Sequence, residues 1–535
     1  MTTQFTDKTI RFLGKTENPS SIELLVPLLD STDDDARSLA FDALYKKKDP
    51  DIYITLFNAF AKNTDIWSRF ECITDDRLTK LADTALRSNT ASIRSRAAEI
   101  TLERKLYGTL PTIVRYLEDN DKETAAKSKK IVLALAESFY NDLVNAGDTT
   151  ERRNLDGKRD WFVQQLDAPV KRFASNKIDE LIQALLIVAK KDFATMKTVF
   201  ADHRSAACAR AIELMESGSH GSYQRLLLSY FIDSSSPAVV DELLSRRSDT
   251  GFVRKLLDVV GPSPSIDVRD TLKRFKGFTW FVPSNPQLPE IIDGKEQETV
   301  QLLMSSSIPK PNIIALIRFL LEQQSVNARR CAADASRKLV GDEINKLLLE
   351  HVNDPDAETA AAIFRILKSR AVPELDPLFV TLVERPEPQI RQAIYDTVPE
   401  LHVESFASRV SSLPAITSRK LGRYVRLVDP NTSKIISDDI MSPIPVRRFS
   451  ACAVAGATGL AGFFKDRIIE LADNDDEPNV RIAAIQALAT IMTRESLDVI
   501  KAFLNDRSLN IRDAANAALR DWMASYQSQN PGTSQ

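Results

Sequence analysis

Glycine is scarce in this chain of 535 residues, with only 16. So few glycines leave few positions for left-handed turns or for backbone that closes around a phosphate. That argues against glycine-rich phosphate loops and against turn-dense all-β folds. Cysteine is scarcer still. Cys72, Cys208, Cys331 and Cys452 lie far apart, form no CxxC pair and have no histidine at ligand spacing. Three of them sit in small-residue runs, "AACARA", "RRCAAD" and "SACAVA". This pattern reads as free thiols packed as small apolar groups in a reducing compartment, with no metal site.

Long apolar runs are missing too. A membrane-spanning helix needs roughly 18 consecutive apolar residues. The longest candidate here, "ACAVAGATGLAGFF" at residues 451–464, is 14 residues long and holds three glycines. The opening "MTTQFTDKTIRFLGKTE" lacks the apolar core of a secretory signal. The expectation is a cytoplasmic protein with no membrane insertion. A formal charge of -3 supplies no global pull toward nucleic acid or anionic lipid.

What is present is a foldable composition, 43% hydrophobic and 27% charged, and a repeat. "NVRIAAIQAL" begins at Asn479 and "NIRDAANAAL" at Asn510, a separation of 31 residues. With Val480 as origin, Ala483, Ala484, Ala487 and Leu488 fall at +3, +4, +7 and +8, one face of a helix. The second copy places Ile511, Ala514, Ala515, Ala518 and Leu519 there. Looser copies start at Ala36, Thr359, Ile390 and Val446, the last with Phe449, Ser450, Ala453 and Val454. "TSRKLGRYVRLV" fills the double gap between Ile390 and Val446 as a blurred copy.

Each copy follows a turn rich in Asp and Pro ("NDDEP", "RPEP", "NDPDAE") and, before it, another amphipathic segment. Proline in a first helical turn sacrifices no needed donor, and acidic residues there suit the positive end of the helix dipole. The unit is helix, turn, helix. Small residues on the second helix allow close approach of a neighbouring pair, and no single pair can bury such a face. The fold expected is therefore all-α, an α-solenoid of stacked antiparallel helix pairs.

These residues resemble the HEAT-repeat family, in the short form first noted in phycobilisome lyases. That family's second helix reads Val-Arg-x-x-Ala-Ala-x-x-Ala-Leu after a turn containing Asp. "VRIAAIQAL" and "IRDAANAAL" match it, with Asp475 and Asp506 each five residues ahead of the Val or Ile. "IRQAIYDTV" at Ile390 and "IRSRAAEIT" at Ile93 are looser, Arg96 intruding on the apolar face, and Ala360 replaces the arginine of the Thr359 copy. The tetratricopeptide and ankyrin patterns are absent. The resemblance is close over residues 441–524 and fair over 309–398 and 20–137. It implies a scaffold, and it carries over no catalytic residue.

The expected organisation is an N-terminal repeat block (1–145), a divergent helical middle (146–300), a C-terminal repeat block (301–526) and a disordered tail (527–535). "KIDELIQALLIVAKKDF" in the middle reads as helix. Residues 261–294 hold five prolines, which rules out one continuous helix and predicts a long loop joining the blocks.

Four stretches invite a chemical reading. "GATGLAG" (456–462) looks like a dinucleotide fingerprint, but it follows a repeat helix and leaves no room for a parallel sheet, so an inter-repeat glycine turn is expected. "SGSHGSYQ" (217–224) sets a serine beside a histidine without triad geometry, and reads as a polar turn. "LKRFKGFTWFVP" (272–283) interleaves Phe275, Phe278, Trp280 and Phe281 with Lys273, Arg274 and Lys276. It is either an apolar plug or a contact for a partner protein or single strand, and Lys273, Arg274 and Trp280 are its candidate contacts.

The fourth is basic. Residues 411–450 carry Arg419, Lys420, Arg423, Arg426, Lys434, Arg447 and Arg448 against Asp429, Asp438 and Asp439. Arg419, Arg423 and Arg426 share a helical face, expected to lie near Arg447 and Arg448 in one patch suited to phosphates or acidic peptides. The function expected is a non-enzymatic scaffold that binds an extended protein partner on a concave surface, with no cofactor. The alternatives are a HEAT-like enzyme, of the DNA glycosylase or bilin lyase kind, and a nucleic-acid-binding protein.

Overall fold

A computed structural model of the chain describes residues 2–119, 121–147, 149–282 and 284–529. Among them every regular element is an α-helix or a short 3-10 helix, and no strand occurs. The chain divides into two compact units. The first comprises Met1–Ile292 with Ser305–Ser307, and the second Asp293–Met304 with Ile308–Gln535. The predicted tail begins inside the last helix, Leu509–Gln529, and its remainder lies outside the described residues.

The second unit shows most plainly how sequence becomes architecture. Its layer of second helices runs Val326–Ser336, Ala357–Ser369, Pro388–Thr397, Ala415–Val428, Pro445–Thr458, Pro478–Leu488 and Leu509–Gln529, each packed on the next. First helices such as Lys310–Leu321, Asp342–Glu350, Lys465–Asn474 and Arg494–Ala502 alternate with them. Val480, Ala483, Ala484, Ala487 and Leu488 are all buried, as are Ile511, Ala514, Ala515 and Ala518. An added Cβ on Gly456 would sit 3.4 Å from the Ala487 Cα, so the 445–458 and 478–488 helices approach almost backbone to backbone. That is the work of the small-residue stripe.

The structure shifts the frame of the Val446 copy. Val446 is 71% exposed, and its helix buries Ala451, Cys452, Val454, Ala455, Gly456 and Thr458. The frame is displaced by one residue, with Arg447 as its origin. The helix carries small residues nearly all round, so its hydrophobic pattern barely distinguishes adjacent phases. A further copy, "ARRCAADAS" with Ala328, Ala332, Ala335 and Ser336 buried, escaped the template because Cys and Ser occupy two of its places.

Several helix starts are closed by direct capping, although Glu477 and Glu387 give their helices no side-chain cap. The Asp33 carboxylate accepts from the Asp35 and Ala36 amides at 2.9 and 3.3 Å, and that of Asp356 from Thr359 at 2.9 Å. Thr493 and Ser496 form a reciprocal capping box. A missing cap costs about 1 kcal/mol.

The first unit repeats the theme with longer helices. Lys122–Asn145 packs along Asp179–Val188, where Leu181, Ile182, Leu185 and Leu186 are buried. The predicted long loop at 261–294 is instead a folded segment holding two helices, Ile266–Leu272 and Leu288–Ile292. Between them Phe275, Phe278, Trp280 and Phe281 form a chain of ring contacts, centroids 5.3 to 5.9 Å apart, that continues from Phe231. Prolines break the helix, but the aromatics supply the core that replaces it.

Candidate functional site

Arginine follows the origin residue in most copies, and it has a structural task. Arg37, Arg94, Arg329, Arg391, Arg448 and Arg512 each donate to the carbonyl six residues earlier: Ser31, Ser88, Gln323, Arg385, Ser442 and Asp506. In three repeats an arginine also reaches forward to the turn that opens the next second helix. Arg329 pairs with Asp354 at 2.9 Å, Arg448 with Asp475 at 2.7 Å and Arg481 with Asp506 at 2.7 Å. Each rung fastens one second helix to the following turn, and Ala360 leaves a rung out.

This ladder corrects the predicted basic patch. Arg448 grips both carboxylate oxygens of Asp475, at 2.7 and 2.9 Å, and is largely buried. It belongs to the interior of the stack. Arg447 is exposed, and lies 3.7 Å from Asp439. Both occupy the first turn of the 445–458 helix, whereas Arg419, Arg423 and Arg426 meet its last turn. About ten residues separate the two ends, roughly 15 Å along a helix axis. The expected single patch is therefore two separate places, a consequence of the crossing described next.

The 415–428 helix starts after Pro414 and buries Ser418, Gly422, Val425 and Val428. At Gly422 an added Cβ would stand 2.5 Å from the Ala457 carbonyl oxygen. Only glycine permits this crossing, and it sets the helix against residues 456–459. The flank beside Gly422 then sets Arg419, Arg423 and Arg426 over an open groove of about 490 Å³, floored by residues 456–459 and closed by Ala489, Thr490 and Met492. Lys420 is exposed on the same helix, outside the groove lining.

The floor has its own electrostatics. Gly459, at φ +73°, ends the 445–458 helix in the left-handed region, and Leu460 N–H donates back to the Ala455 carbonyl at 2.9 Å. That is the glycine turn expected of "GATGLAG", and it presents the negative pole of a helix to the arginines. Arg423 lies 3.3 Å from Glu384. Arg419, Lys420 and Arg426 meet no carboxylate among the described residues. The groove thus offers exposed guanidinium donors beside small side chains.

The aromatic segment is placed otherwise. Trp280 is fully buried, so it is not a surface contact, and its indole N–H has no partner among the described residues. Arg274 donates to the Asp233 and Phe231 carbonyls at 2.5 and 3.1 Å, closing the end of helix Gly221–Phe231. It is therefore spent internally. Lys273 is exposed and pairs with Asp270 at 2.6 Å. Sequence adjacency had joined three residues whose side chains part ways, because four large rings in a row sink inward and carry their neighbours' orientation with them.

"SGSHGSYQ" is a helix start. His220 Nδ1 accepts from the Ser222 amide at 3.2 Å and caps Gly221–Phe231, and burial lowers its pKa. Burial likewise pushes the Cys452 thiol up to about 12, which suits a packed apolar group. No helix among the described residues is long and apolar enough to cross a membrane.

Residues 452–525 match the family profile described as HEAT repeats. This segment carries HEAT repeats. The matched HEAT segment spans the 478–488 helix, the Arg481–Asp506 rung and the floor of the groove. No curated protein matches the chain. Among solved structures it is similar to Kap121p, at 10% identity over 98% of this chain and 55% of that one, with a TM-score of 0.24. Kap121p bound to Nup53p gives 11% identity, 98% and 54% coverage and a TM-score of 0.25. An engineered protein gives 14%, 94%, 98% and 0.20. The chain spans about half the length of Kap121p. At such TM-scores the likeness carries no argument about this chain's partner.

Proposed function

We propose that this chain is a non-enzymatic scaffold that works in the cytoplasm and holds an extended, acidic segment of a protein partner along the exposed face of its HEAT repeats. The observation that carries the reading is the groove of Arg419, Arg423 and Arg426. Three guanidinium groups converge there on one helical face, and two of them have no carboxylate partner among the described residues. Exposed arginines set on a rigid crossing are ready to accept carboxylates without reorganisation. A solenoid sums weak contacts of this kind over successive repeats.

The stretches that resembled catalytic motifs support the non-enzymatic side of the reading. "GATGLAG" is a helix stop and "SGSHGSYQ" a helix start, each accounted for by backbone capping. Reversing charge tests the groove: Arg419→Glu with Arg426→Glu should weaken binding of a glutamate-rich peptide at least tenfold, as the loss of about 1.4 kcal/mol or more implies. The unfolding midpoint should not move, since both side chains are exposed. Binding that survives the double reversal would refute the groove, and binding of single-stranded DNA in preference to the peptide would favour the nucleic-acid alternative.

A further inference from the structure

A second cationic site lies in the first unit, and of the stretches that invite a chemical reading only "SGSHGSYQ" reaches it, through Ser222. Four helical elements meet at a cavity of about 280 Å³: Tyr140 from Lys122–Asn145, Arg159 from Thr149–Lys171, Lys190 and Lys191 from the turn after Asp179–Val188, and Ser222, Arg225 and Ser229 from Gly221–Phe231. Its floor is apolar, made by Ile187, Ala189 and Leu226, and its charged rim is basic but for Asp192.

The cations there fall into two classes. Three are committed. Arg159 donates to the carbonyls of Val188 and Ala189, Lys190 pairs with Asp156 at 2.6 Å, and Lys191 pairs with Asp233 at 2.6 Å. Arg225 is different. Its guanidinium lies 4.8 Å above the Tyr140 ring and donates to the Tyr140 hydroxyl at 3.3 Å, with no carboxylate partner among the described residues. The phenol lies so close to the Gly221 backbone that a Cβ there would stand 2.9 Å from its oxygen, which fixes the platform on which Arg225 rests. An exposed arginine normally moves freely. This one is held over an apolar floor, beside two serine hydroxyls and two lysines.

We infer that this cavity binds a phosphate monoester with a short apolar stem. Arg225 offers a paired set of N–H donors, and Lys190, which also pairs with Asp156, a second positive charge at the rim. The Ser222 and Ser229 hydroxyls donate to His220 Nδ1 and the Leu226 carbonyl at 2.7 and 2.6 Å and leave oxygen lone pairs toward the cavity. The guanidinium with the rim lysine suits a phosphate dianion. The floor of Ile187, Ala189 and Leu226 takes the stem, and the volume exceeds what inorganic phosphate needs. Such an ester reaches the cavity either on a phosphorylated side chain of a protein or as a free small molecule.

Calorimetric titration of the full chain with phenyl phosphate tests this. Saturable one-to-one binding is expected, tighter than to inorganic phosphate, with none to phenol. Arg225→Ala should weaken it tenfold or more and Tyr140→Phe several-fold, while both melt as the parent does. Should Arg225→Ala alter the fold, Lys190→Gln provides the second reading, with a loss of several-fold. Absence of binding, unchanged affinity in Arg225→Ala, or benzoate binding as tightly as phenyl phosphate would overturn the assignment. A phosphotyrosyl peptide that binds more tightly than phenyl phosphate identifies the protein source, and one that binds no more tightly identifies the free ester.

Discussion

The arginine at the head of a repeat helix and the aspartate some 25 residues later decide much at the scale of single residues. Arg448 and Asp475 are both largely withdrawn from water, and removing one partner from such a pair leaves a charge uncompensated, at a cost of about 3 kcal/mol. Burial alone would raise the Asp475 carboxyl, but the Arg448 guanidinium and the Glu477 amide outweigh it and hold the pKa below the usual carboxylate range. Asp506 is lowered by the Ser508 amide and Arg481, and Asp356 by Arg330 above all. A carboxyl depressed in the folded state stabilises it above its unfolded pKa, and that stability fades as pH falls through the acid range. Asp475→Asn should therefore lower the melting temperature at pH 7 and flatten its decline between about pH 5 and pH 2. Parallel pH–melting curves for variant and parent would show the pair to be inert. The sequence hid this role. Arg448 reads as one of a cluster of surface charges, and only its spacing to Asp475, echoed by Arg481 and Asp506, marks it as internal.

Close approach governs the scale of helices. Gly422 and Gly456 are both helical and both face a neighbouring helix, yet their surroundings differ. A methyl at Gly422 meets a carbonyl at 2.5 Å, and at Gly456 it finds ordinary contact at 3.4 Å or beyond. Gly422→Ala should destabilise the second unit by about 1–3 kcal/mol, the cost of overpacking. Gly456→Ala should be neutral or stabilising by up to about 1 kcal/mol, the helix-propensity gain. Equal melting temperatures for the two variants would contradict the crossing that builds the arginine groove. Individual helices were readable from the sequence because alanine and branched aliphatics recur with helical period. Phase was less secure. In "PVRRFSACAVAGAT" the small residues surround the helix, so the buried side was legible only through the arginine at Arg448. The aromatic run at 275–281 showed its burial in its composition, and its helical flanks were masked by proline.

For the molecule, the alanine stripe gave away the repeat architecture because a face of small residues has no use outside close helix packing. The groove was half legible: the spacing of Arg419, Arg423 and Arg426 announced a common face, but which end of the neighbouring helix they meet depends on the Gly422 crossing. The cavity of the first unit was hardly legible, because its residues come from four elements spread over some ninety positions. Both units rest on one arrangement, in which consecutive helix pairs hide their small-residue faces against each other.

A designed cross-link probes that arrangement directly. A Cβ at Gly456 would lie 3.6 Å from the Ala487 Cβ, within the range of about 3.5–4.5 Å that a disulfide spans. In a Cys452→Ala background, Gly456→Cys with Ala487→Cys should close a disulfide under mild oxidation, seen as a mass loss of about 2 Da and a linked peptide between the two helices. Gly456→Cys with the exposed Gln486→Cys should not. A linked 456–486 pair with an open 456–487 pair would contradict the stacking of these repeats.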